Sequence, residues 1–365
     1  MDQLPDLKIP FSSVSVKIRI IDTTTRVGDI PSELFMSPIF QGLEHLNCPA
    51  YSFLIEHPSN GKLLFDLGAR KDYMNLPPLV SNRIRDGGWK VEVQKGVREQ
   101  LEEHGIDGKD IDAVIWSHWH WDHIGDMSTF DKRTTLVVGP GFKQNFIPAY
   151  PTNPDSPLLE SDFEGRVLRE ISFDTANGLQ IGGFNAFDYF GDGSFFLLDS
   201  PGHAIGHISA LARVTSDSFV FMGGDACHHG GQFRPSRYLG LPSVLLPNPF
   251  EKQSALAYPG ALFDHLLPDG DKNKPFFTVS SSTDGNGVAA DANQAVETIR
   301  KIQEVDANDK ILVVMAHDAS LLDVLDFFPK YVDSFVEKGW VKAGRWVFLK
   351  DFKKALKEQR DYCLT

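Results

Sequence analysis

The sequence has few cysteines, no long apolar run and no segment typical of a secretion signal. Its 365 residues include only Cys48, Cys227 and Cys363, too few for a closed disulfide framework. No apolar stretch reaches the ~18 residues that a membrane-spanning helix needs. The first residues contain neither the basic segment nor the apolar segment that a secretion signal has. These absences predict a protein of the reducing cytoplasm that has no membrane partner.

Positive charge is also in short supply. The chain has 36 Lys and Arg against 49 Asp and Glu, a formal net charge of -13. Proteins that bind nucleic acid neutralise its phosphates with clustered basic side chains, so the sequence predicts no nucleic-acid partner. The hydrophobic fraction of 42% is typical of a folded globular chain. The length alone allows one large domain or two ordinary ones.

Short apolar runs recur along the chain and are rich in Val, Ile and Phe, as buried strands are. The runs are Val14–Ile21, Leu63–Phe65, Ala113–Trp116, Thr135–Val138, Phe195–Leu198, Phe219–Met222 and Ile311–Met315. Apolar residues at helical spacing predict helices at Val97–Gly105, Ala292–Ile302 and Leu321–Phe328. Strands that alternate with helices predict an α/β fold.

Two stretches, Gly139–Asp162 and His228–Asp271, are rich in proline and other turn residues. Such composition is typical of linkers, but these stretches also contain many aromatic residues, which a linker has little reason to carry. We therefore predict two long ordered loops, near 139–162 and 228–271, within a single domain that spans residues 1–365. We expect their aromatic side chains to overhang the functional site.

Four potential metal ligands follow the run Ala113–Trp116 within six residues: His118, His120, Asp122 and His123. Residues two apart in an extended loop point the same way, so His118 and His120 can bind one ion. Asp122 and His123 follow a turn and can face a second ion. Imidazole and carboxylate ligands suit zinc, and also iron or manganese. Three histidines and an aspartate at this density predict a metal site.

Three later strands each lead to another potential ligand. His203 follows the run Phe195–Leu198, Asp225 follows the next run, and His317 follows the last. Open α/β sheets build their sites at the carboxyl ends of strands. We therefore expect these three residues to join the histidine cluster at one site.

The order of these motifs resembles the metallo-β-lactamase superfamily: His-x-His-x-Asp-His, then Pro-Gly-His, then Gly-Asp, then a late His. The resemblance runs from about Val14 to about Val347. It implies a four-layer αβ/βα sandwich with two metal ions between its sheets. The implied ligands are His118, His120 and His203 for the first ion, Asp122, His123 and His317 for the second, and Asp225 as the bridge.

Two divalent ions, most readily zinc, would lower the pKa of a shared water and polarise the carbonyl under attack. The resemblance gives Asp122 a second role, which is to pass a proton to the leaving group. Asp66 and Asp199, each at a strand end, are candidates to orient a metal-bound histidine, and a turn-capping role for Asp66 is equally open. We expect His207 to form structural hydrogen bonds.

Chain length and the place of His317 resemble the branch of N-acyl-homoserine lactonases and fungal lactamases. That branch has a tyrosine three residues after the bridging aspartate, where it contacts the substrate carbonyl. Here the position is His228, whose imidazole can also donate a hydrogen bond, and Tyr238 is an alternative source of the phenol. The sequence predicts a hydrolase for a small cyclic ester or amide, aromatic rings included, such as an acyl-homoserine lactone or a benzoxazolinone-type ring.

Other functions stay open at this point. A thioesterase of the glyoxalase II type would use the same kind of site. An oxidoreductase similar to the persulfide dioxygenases would bind one iron and would not need Asp122, His123 and His317 together. A non-catalytic binding module would normally have lost ligands, and none is missing here. The Phe- and Pro-rich loops could also pack against a second copy, so a homodimer is open too.

Overall fold

The computed structural model of the chain describes residues 2–174, 178–251, 256–281 and 287–356, so Cys363 lies outside the described residues. The described strands in the N-terminal half are β1 Lys17–Pro31, β2 Met36–Ser37, β3 His45–His57, β4 Gly61–Phe65, β5 Lys90–Glu92, β6 Ile111–Ile115, β7 Thr135–Val138 and β8 Leu168–Glu170. Those that follow are β9 Gln180–Ile181, β10 Phe184–Asp188, β11 Phe195–Asp199, β12 Ile208–Arg213, β13 Phe219–Met222, β14 Val244–Leu245, β15 Tyr258–Pro259, β16 Thr278–Val279 and β17 Ile311–Val314.

These strands form two large sheets and two short two-stranded ones. The first sheet has the order β5-β1-β3-β4-β6-β7-β8, and the second has the order β17-β13-β12-β11-β10-β9. The strand β4 runs parallel to β6, and β13 runs parallel to β17. The pairs β14–β15 and β16–β2 stand apart from both. Parallel neighbours bring several strand ends to the same edge, which matters for the site.

The α-helices of the described residues are α1 Pro78–Asp86, α2 Val97–Glu103, α3 Trp121–Ile124, α4 Phe142–Phe146, α5 Ala292–Asp306 and α6 Trp340–Gly344. Several single turns of 3-10 helix join them. None of these helices has the length and apolar character needed to cross a bilayer.

Alternating side chains place the two sheets face to face, with helices on their outer faces. Phe65 of β4 and Phe195 of β11 lie in the cluster between the sheets. Their neighbours point outward: Leu64 packs in the cluster that contains α1 and α2, and Phe196 packs in the cluster that contains α5. Successive residues of a strand face opposite sides of its sheet. A strand that is buried on both sides therefore has an uninterrupted apolar sequence. The order helix, sheet, sheet, helix agrees with the four-layer sandwich that the sequence predicted.

Two local predictions differ from the structure. The segment Leu321–Phe328 is not an α-helix: a 3-10 helix covers Ala319–Asp323, and the chain then lies along β1. The reason is that the N–H groups of Phe328 and Val332 donate to the carbonyl groups of Ile20 and Ile18, 2.6 and 3.0 Å away, and so cannot serve a helix. The strand expected at Val14–Ile21 instead continues to Pro31, because β1 pairs with β3 through two register shifts.

The two proline-rich loops are ordered where the structure describes them, but their aromatic residues do not overhang the site. Phe142 and Phe146 form one face of α4 and are buried against the first sheet. Phe263 is buried in a cluster with Phe276 and Phe352, far along the chain. The expectation about these aromatics is therefore wrong, because the loops bury them in the hydrophobic clusters that they share with the rest of the fold.

Candidate metal and catalytic site

Five strand ends meet at one edge of the sandwich. Asp66 follows β4, and the segment from His118 to His123 follows β6, the parallel neighbour of β4. From the second sheet, β11, β13 and β17 lead to His203, Asp225 and His317. The three strands of the second sheet run in one direction, because the intervening β12 is antiparallel to both β11 and β13.

The side chains from these strand ends form two clusters of potential metal ligands. Within each cluster the ligand atoms lie within 4.8 Å of one another. We call His118, His120 and His203 the first group, and Asp122, His123 and His317 the second group; Asp225 lies with the first group and also contacts the second. The structure thus brings together all seven residues that the resemblance marked as ligands.

Asp225 divides its two carboxylate oxygens between the groups. Its Oδ1 lies 3.0 Å from Nε2 of His123 and 3.1 Å from Nε2 of His317. Its Oδ2 lies 3.3 Å from Nε2 of His203 and 3.6 Å from Nε2 of His118. With one oxygen toward each group, Asp225 is placed where its carboxylate would contact ions held by both groups.

The polar atoms at this centre fit two cations. Nε2 of His118 is buried and has no hydrogen-bond partner, and Oδ1 of Asp225 accepts no aligned hydrogen bond from the two histidine nitrogens near it, which is costly unless ions satisfy these atoms. Nε2 of His123 and Nε2 of His317 face each other at 3.1 Å, as do Nδ1 of His120 and Nε2 of His203 at 3.0 Å. Nitrogen and carboxylate ligands of this kind fit zinc, iron or manganese.

Burial keeps the first group neutral. It lowers the pKa of His118 and of His203 well below the ordinary value, and that of His120 to about 3. Burial raises the pKa of a carboxyl, but the facing histidines outweigh it and hold the pKa of Asp225 well below its ordinary value. Neutral imidazoles are the form that a metal ion binds. In the second group burial acts in the same direction, but Asp225 outweighs it and raises the pKa of His123 and of His317, so an ion bound there would displace protons.

Several contacts orient the histidines from behind. Asp66 Oδ2 lies 2.9 Å from Nδ1 of His123, and its Oδ1 accepts a 2.6 Å hydrogen bond from the backbone N–H of Ser117. Nδ1 of His317 lies 2.6 Å from the carbonyl oxygen of Pro49, and Nδ1 of His118 lies 3.0 Å from Oγ of Ser117. Of the two readings of Asp66, the structure favours the one in which it orients a histidine.

The other two residues considered for such a role behave differently. His207 Nε2 accepts a 3.0 Å hydrogen bond from the N–H of Asp225, and its Nδ1 faces the carbonyl oxygen of Ser200 at 2.8 Å. It is the structural hydrogen-bonding residue that we expected. Asp199 is not at the site: burial raises its pKa, and its electrostatic neighbours are Asn185 and Lys301.

His228 lies beside the metal ligands and is stacked on an aromatic ring. Its Nε2 is 3.3 Å from Oδ2 of Asp225, and its ring lies 4.1 Å from that of Phe35 with an interplanar angle of 26°. The buried Gln232 holds this pair. Its Oε1 accepts a 2.7 Å hydrogen bond from the backbone N–H of His228, and its Nε2 donates a 3.1 Å hydrogen bond to the backbone carbonyl of Phe35.

Tyr238 does not lie at this centre. The suggestion that it supplies a phenol there is therefore wrong. Its hydroxyl contacts Arg237 and lies 3.4 Å from Oε1 of Glu304, on the outer side of α5. It does not line the cavity in front of the metal ligands. The loop after His228 turns away because the buried pair Arg234–Asp306 ties it to α5.

A cavity of about 250 Å³ opens in front of the clusters. Ligand pockets commonly measure roughly 300–1,000 Å³, so this one suits a small molecule. Its base is formed by residues of both groups together with Asp225 and His228. Its walls are mostly apolar, and they include four aromatic side chains, Phe35, Trp89, Trp119 and Trp121. Aromatic walls are therefore present, but of the four only Trp119 and Trp121 belong to the histidine segment that the sequence had singled out.

Sequence reasoning missed the wall contributed by α1. Val80 and Ile84 line the cavity from the inner side of this helix, and Leu79 and Arg83 line it one residue earlier in each turn. A signal was available: Pro78 at the first helical position, followed by apolar residues four apart, is typical of an amphipathic helix. No such signal marks Phe35 or Gln232, which reach the site from distant loops.

Comparisons with known proteins identify the family of the chain. A family model described as the metallo-beta-lactamase superfamily matches residues 46–255. Gamma-lactamase FDB1 of Fusarium pseudograminearum (strain CS3096) is 44% identical over 355 residues, which cover 95% of this chain and 85% of the relative. Metallo-hydrolase mfmC of Annulohypoxylon moriforme is 46% identical over 364 residues, covering 96% and 91%.

Among solved structures, the chain is similar to a mutant of B. thuringiensis AiiA with N-decanoyl-L-homoserine bound at its active site. The TM-score is 0.56 at 18% sequence identity, and the match covers 87% of this chain and 99% of the other. At this identity the likeness is evidence of the fold alone.

Proposed function

The chain belongs to the metallo-beta-lactamase superfamily, and from this membership we propose that it is a hydrolase that opens a small cyclic ester or amide. The histidine motif predicted this family, the sandwich fold and the class of metal-dependent hydrolase. The comparisons confirm all three. The observation that carries the proposal is the position of Asp225, with one oxygen toward each ligand group, at the base of a small apolar cavity. The gamma-lactamase relative supports a ring substrate.

We propose two zinc ions as the metals, held by the first and second groups with Asp225 between them. Bound there, such ions would supply a water of lowered pKa and an electrophile for the carbonyl. The chain's own residues then have three tasks: to position the ring, to donate to the carbonyl oxygen, and to move one proton to the leaving oxygen or nitrogen.

His228 is our candidate for the donor to the carbonyl oxygen. It lines the cavity, and burial lowers the pKa of its imidazole, so the neutral form with one N–H is the one present at pH 7. Stacking on Phe35 fixes the plane of the ring. A donor held in place before the reaction stabilises developing charge on oxygen without reorganising.

Asp122 is our candidate for the proton carrier. Its side chain is 14% exposed and lines the cavity, and its Oδ2 lies 3.5 Å from Nε2 of His317. It therefore reaches both the second group and the space in which a leaving group would lie. Asp122→Asn should keep some of the bound metal and lose most of the turnover, measured by elemental analysis and by kcat; full activity in this variant would contradict the role.

The single-domain organisation of residues 1–365 remains part of the proposal. Its support is that the two ligand groups draw on both sheets, from His118 to His317. The cytoplasmic location, the missing nucleic-acid and membrane partners and the open question of a homodimer stay predictions from the sequence.

The test is a hydrolysis screen with the metal-loaded protein and its His118→Ala variant. The substrates are acyl-homoserine lactones, the fused lactone 2-coumaranone, simple γ-lactams, benzoxazolinone and, as a competing class, a glutathione thioester. We expect turnover of at least one ring, its loss in the variant, and two zinc ions per chain by elemental analysis. Turnover of the thioester alone would replace the proposal with a thioesterase. One iron per chain with oxygen uptake would replace it with an oxidoreductase.

A further inference from the structure

Polar side chains lie at the base of the cavity and one lies at its mouth, with an apolar wall between them. Its base is formed by the metal ligands and His228, and nearly all the wall is apolar. Arg83 is the one Lys or Arg among the lining residues that the structure describes, and its side chain is exposed at the mouth. An isolated cation at the edge of an apolar cavity selects for charge at one defined place in the ligand.

In the part of the chain that the structure describes, no anionic side chain neutralises Arg83. Across the described ranges, no hydrogen bond or ion pair joins its guanidinium to another residue, and its close partner is the ring of Trp89, 5.9 Å away. Its neighbour Arg85 behaves differently, because it pairs with Asp86 at 3.0 Å and does not line the cavity. In a chain of net charge -13, an arginine left unpaired at this position is available to a ligand.

The helix fixes where this charge lies. Arg83 follows Leu79 by four residues on α1, so the two side chains lie one turn apart on the same face. Val80 and Ile84, on the adjoining inner face, are buried in the wall itself. The guanidinium is therefore held at the outer end of an apolar surface whose inner end faces the metal ligands.

We propose that Arg83 determines specificity for ring substrates that carry an anionic oxygen substituent, best a carboxylate, on the side remote from the scissile carbonyl. This inference rests on the proposed function and names the substrate class of the same site. A guanidinium binds a carboxylate through two parallel N–H···O bonds. The apolar walls would hold the ring between them, with its carbonyl at the base and its charged group at the mouth.

The experiment pairs two kinds of ligand with two matched variants of the metal-loaded chain. The substrates are 2-coumaranone and its 5- and 6-carboxylates, measured as kcat/KM. The non-hydrolysable counterparts are 2-indanone and 2-indanone-5-carboxylate, measured as Kd by quenching of tryptophan fluorescence. The variants are Arg83→Gln and, as the matched control on the same helix, Arg85→Gln.

We expect Arg83→Gln to lower kcat/KM for one of the carboxylates, and to weaken binding of the indanone carboxylate, by about fivefold, the scale of a partly exposed ion pair. The change should lie in KM, should shrink as salt is added, and should leave the uncharged compounds within twofold. Arg85→Gln should change neither class.

Equal effects of Arg83→Gln on charged and uncharged ligands, or no effect on either, would overturn the inference. Failure of the proposed function looks different. In that case 2-coumaranone and its carboxylates are all left intact, while the two indanones still report whether Arg83 recognises a carboxylate.

Discussion

The two groups of metal ligands differ in how firmly their histidines are held. In the second group, His123 is backed by the Asp66 carboxylate at 2.9 Å and His317 by the Pro49 carbonyl at 2.6 Å. In the first group, His118 is backed by a serine hydroxyl at 3.0 Å. For the imidazole rings of His120 and His203, the described residues show no hydrogen bond except the contact between the two rings. A carboxylate or carbonyl behind an imidazole fixes its orientation and raises its basicity, so the second group should hold its ion more tightly.

The largest effect is expected from the residue that both groups share. Asp225→Ala removes the bridge and leaves facing imidazole nitrogens without their anion, so both ions should be lost and kcat/KM should fall about 10³-fold or more. Elemental analysis and turnover measure the two effects. Asp217→Ala, at an exposed aspartate that pairs with Lys310, is the control. Two ions retained by Asp225→Ala would break the comparison, because neither group would then depend on the bridge.

A smaller effect, confined to the second group, is expected from Asp66→Asn. Asp66 has a φ of 60°, a left-handed conformation that asparagine also adopts, so the backbone should be preserved. Loss of the carboxylate behind His123 should weaken one ion about 10- to 100-fold. Competition with a fluorescent chelator measures both affinities. Ser117→Ala, which removes the hydroxyl behind His118, should act on the other ion and by less; equal effects would remove the difference between the groups.

Metal removal should sharpen the comparison without any mutation. On dialysis against a chelator, we expect two phases, with the first group losing its ion about tenfold faster because fewer contacts fix its histidines. Reloading with Co²⁺ and following its visible spectrum distinguishes the sites. A single phase would mean that Asp225 couples the two groups so strongly that their different backing does not matter.

The smallest effect is expected from a contact that belongs to neither group. Gln232 links the backbone groups of His228 and Phe35. Gln232→Glu keeps the acceptor for His228 and loses the donor to Phe35, whereas Gln232→Leu loses both. We expect kcat/KM to fall about threefold in the first and about tenfold in the second, as buried hydrogen bonds are lost, with the metal content unchanged. Altered metal content would show that the wall and the ligand groups are not independent.

The ligand groups could be predicted from the sequence, because every ligand lies in a segment that follows an apolar run, and these runs end at the same edge. Two strands match their predicted bounds, Thr135–Val138 and Phe219–Met222. Their unbroken runs of Val, Leu and Phe indicate burial on both faces. The walls of the cavity were not open to prediction. Phe35 and Gln232 lie 197 residues apart in the sequence. The sequence pattern of each loop does not predict that the two loops are in contact. Tyr238 illustrates the opposite case: a suitable residue at a suitable spacing is carried away by a buried ion pair, Arg234–Asp306, that spacing does not reveal.

The edge position of β17 has a consequence for how the protein is made. This strand docks beside β13 as the last member of the second sheet, and His317 follows it directly. A domain generally folds as a unit, so a single sandwich is not complete until β17 has left the ribosome. A chain truncated before β17 would lack both the edge strand of its second sheet and one ligand of the second group, so metal binding would come late in synthesis.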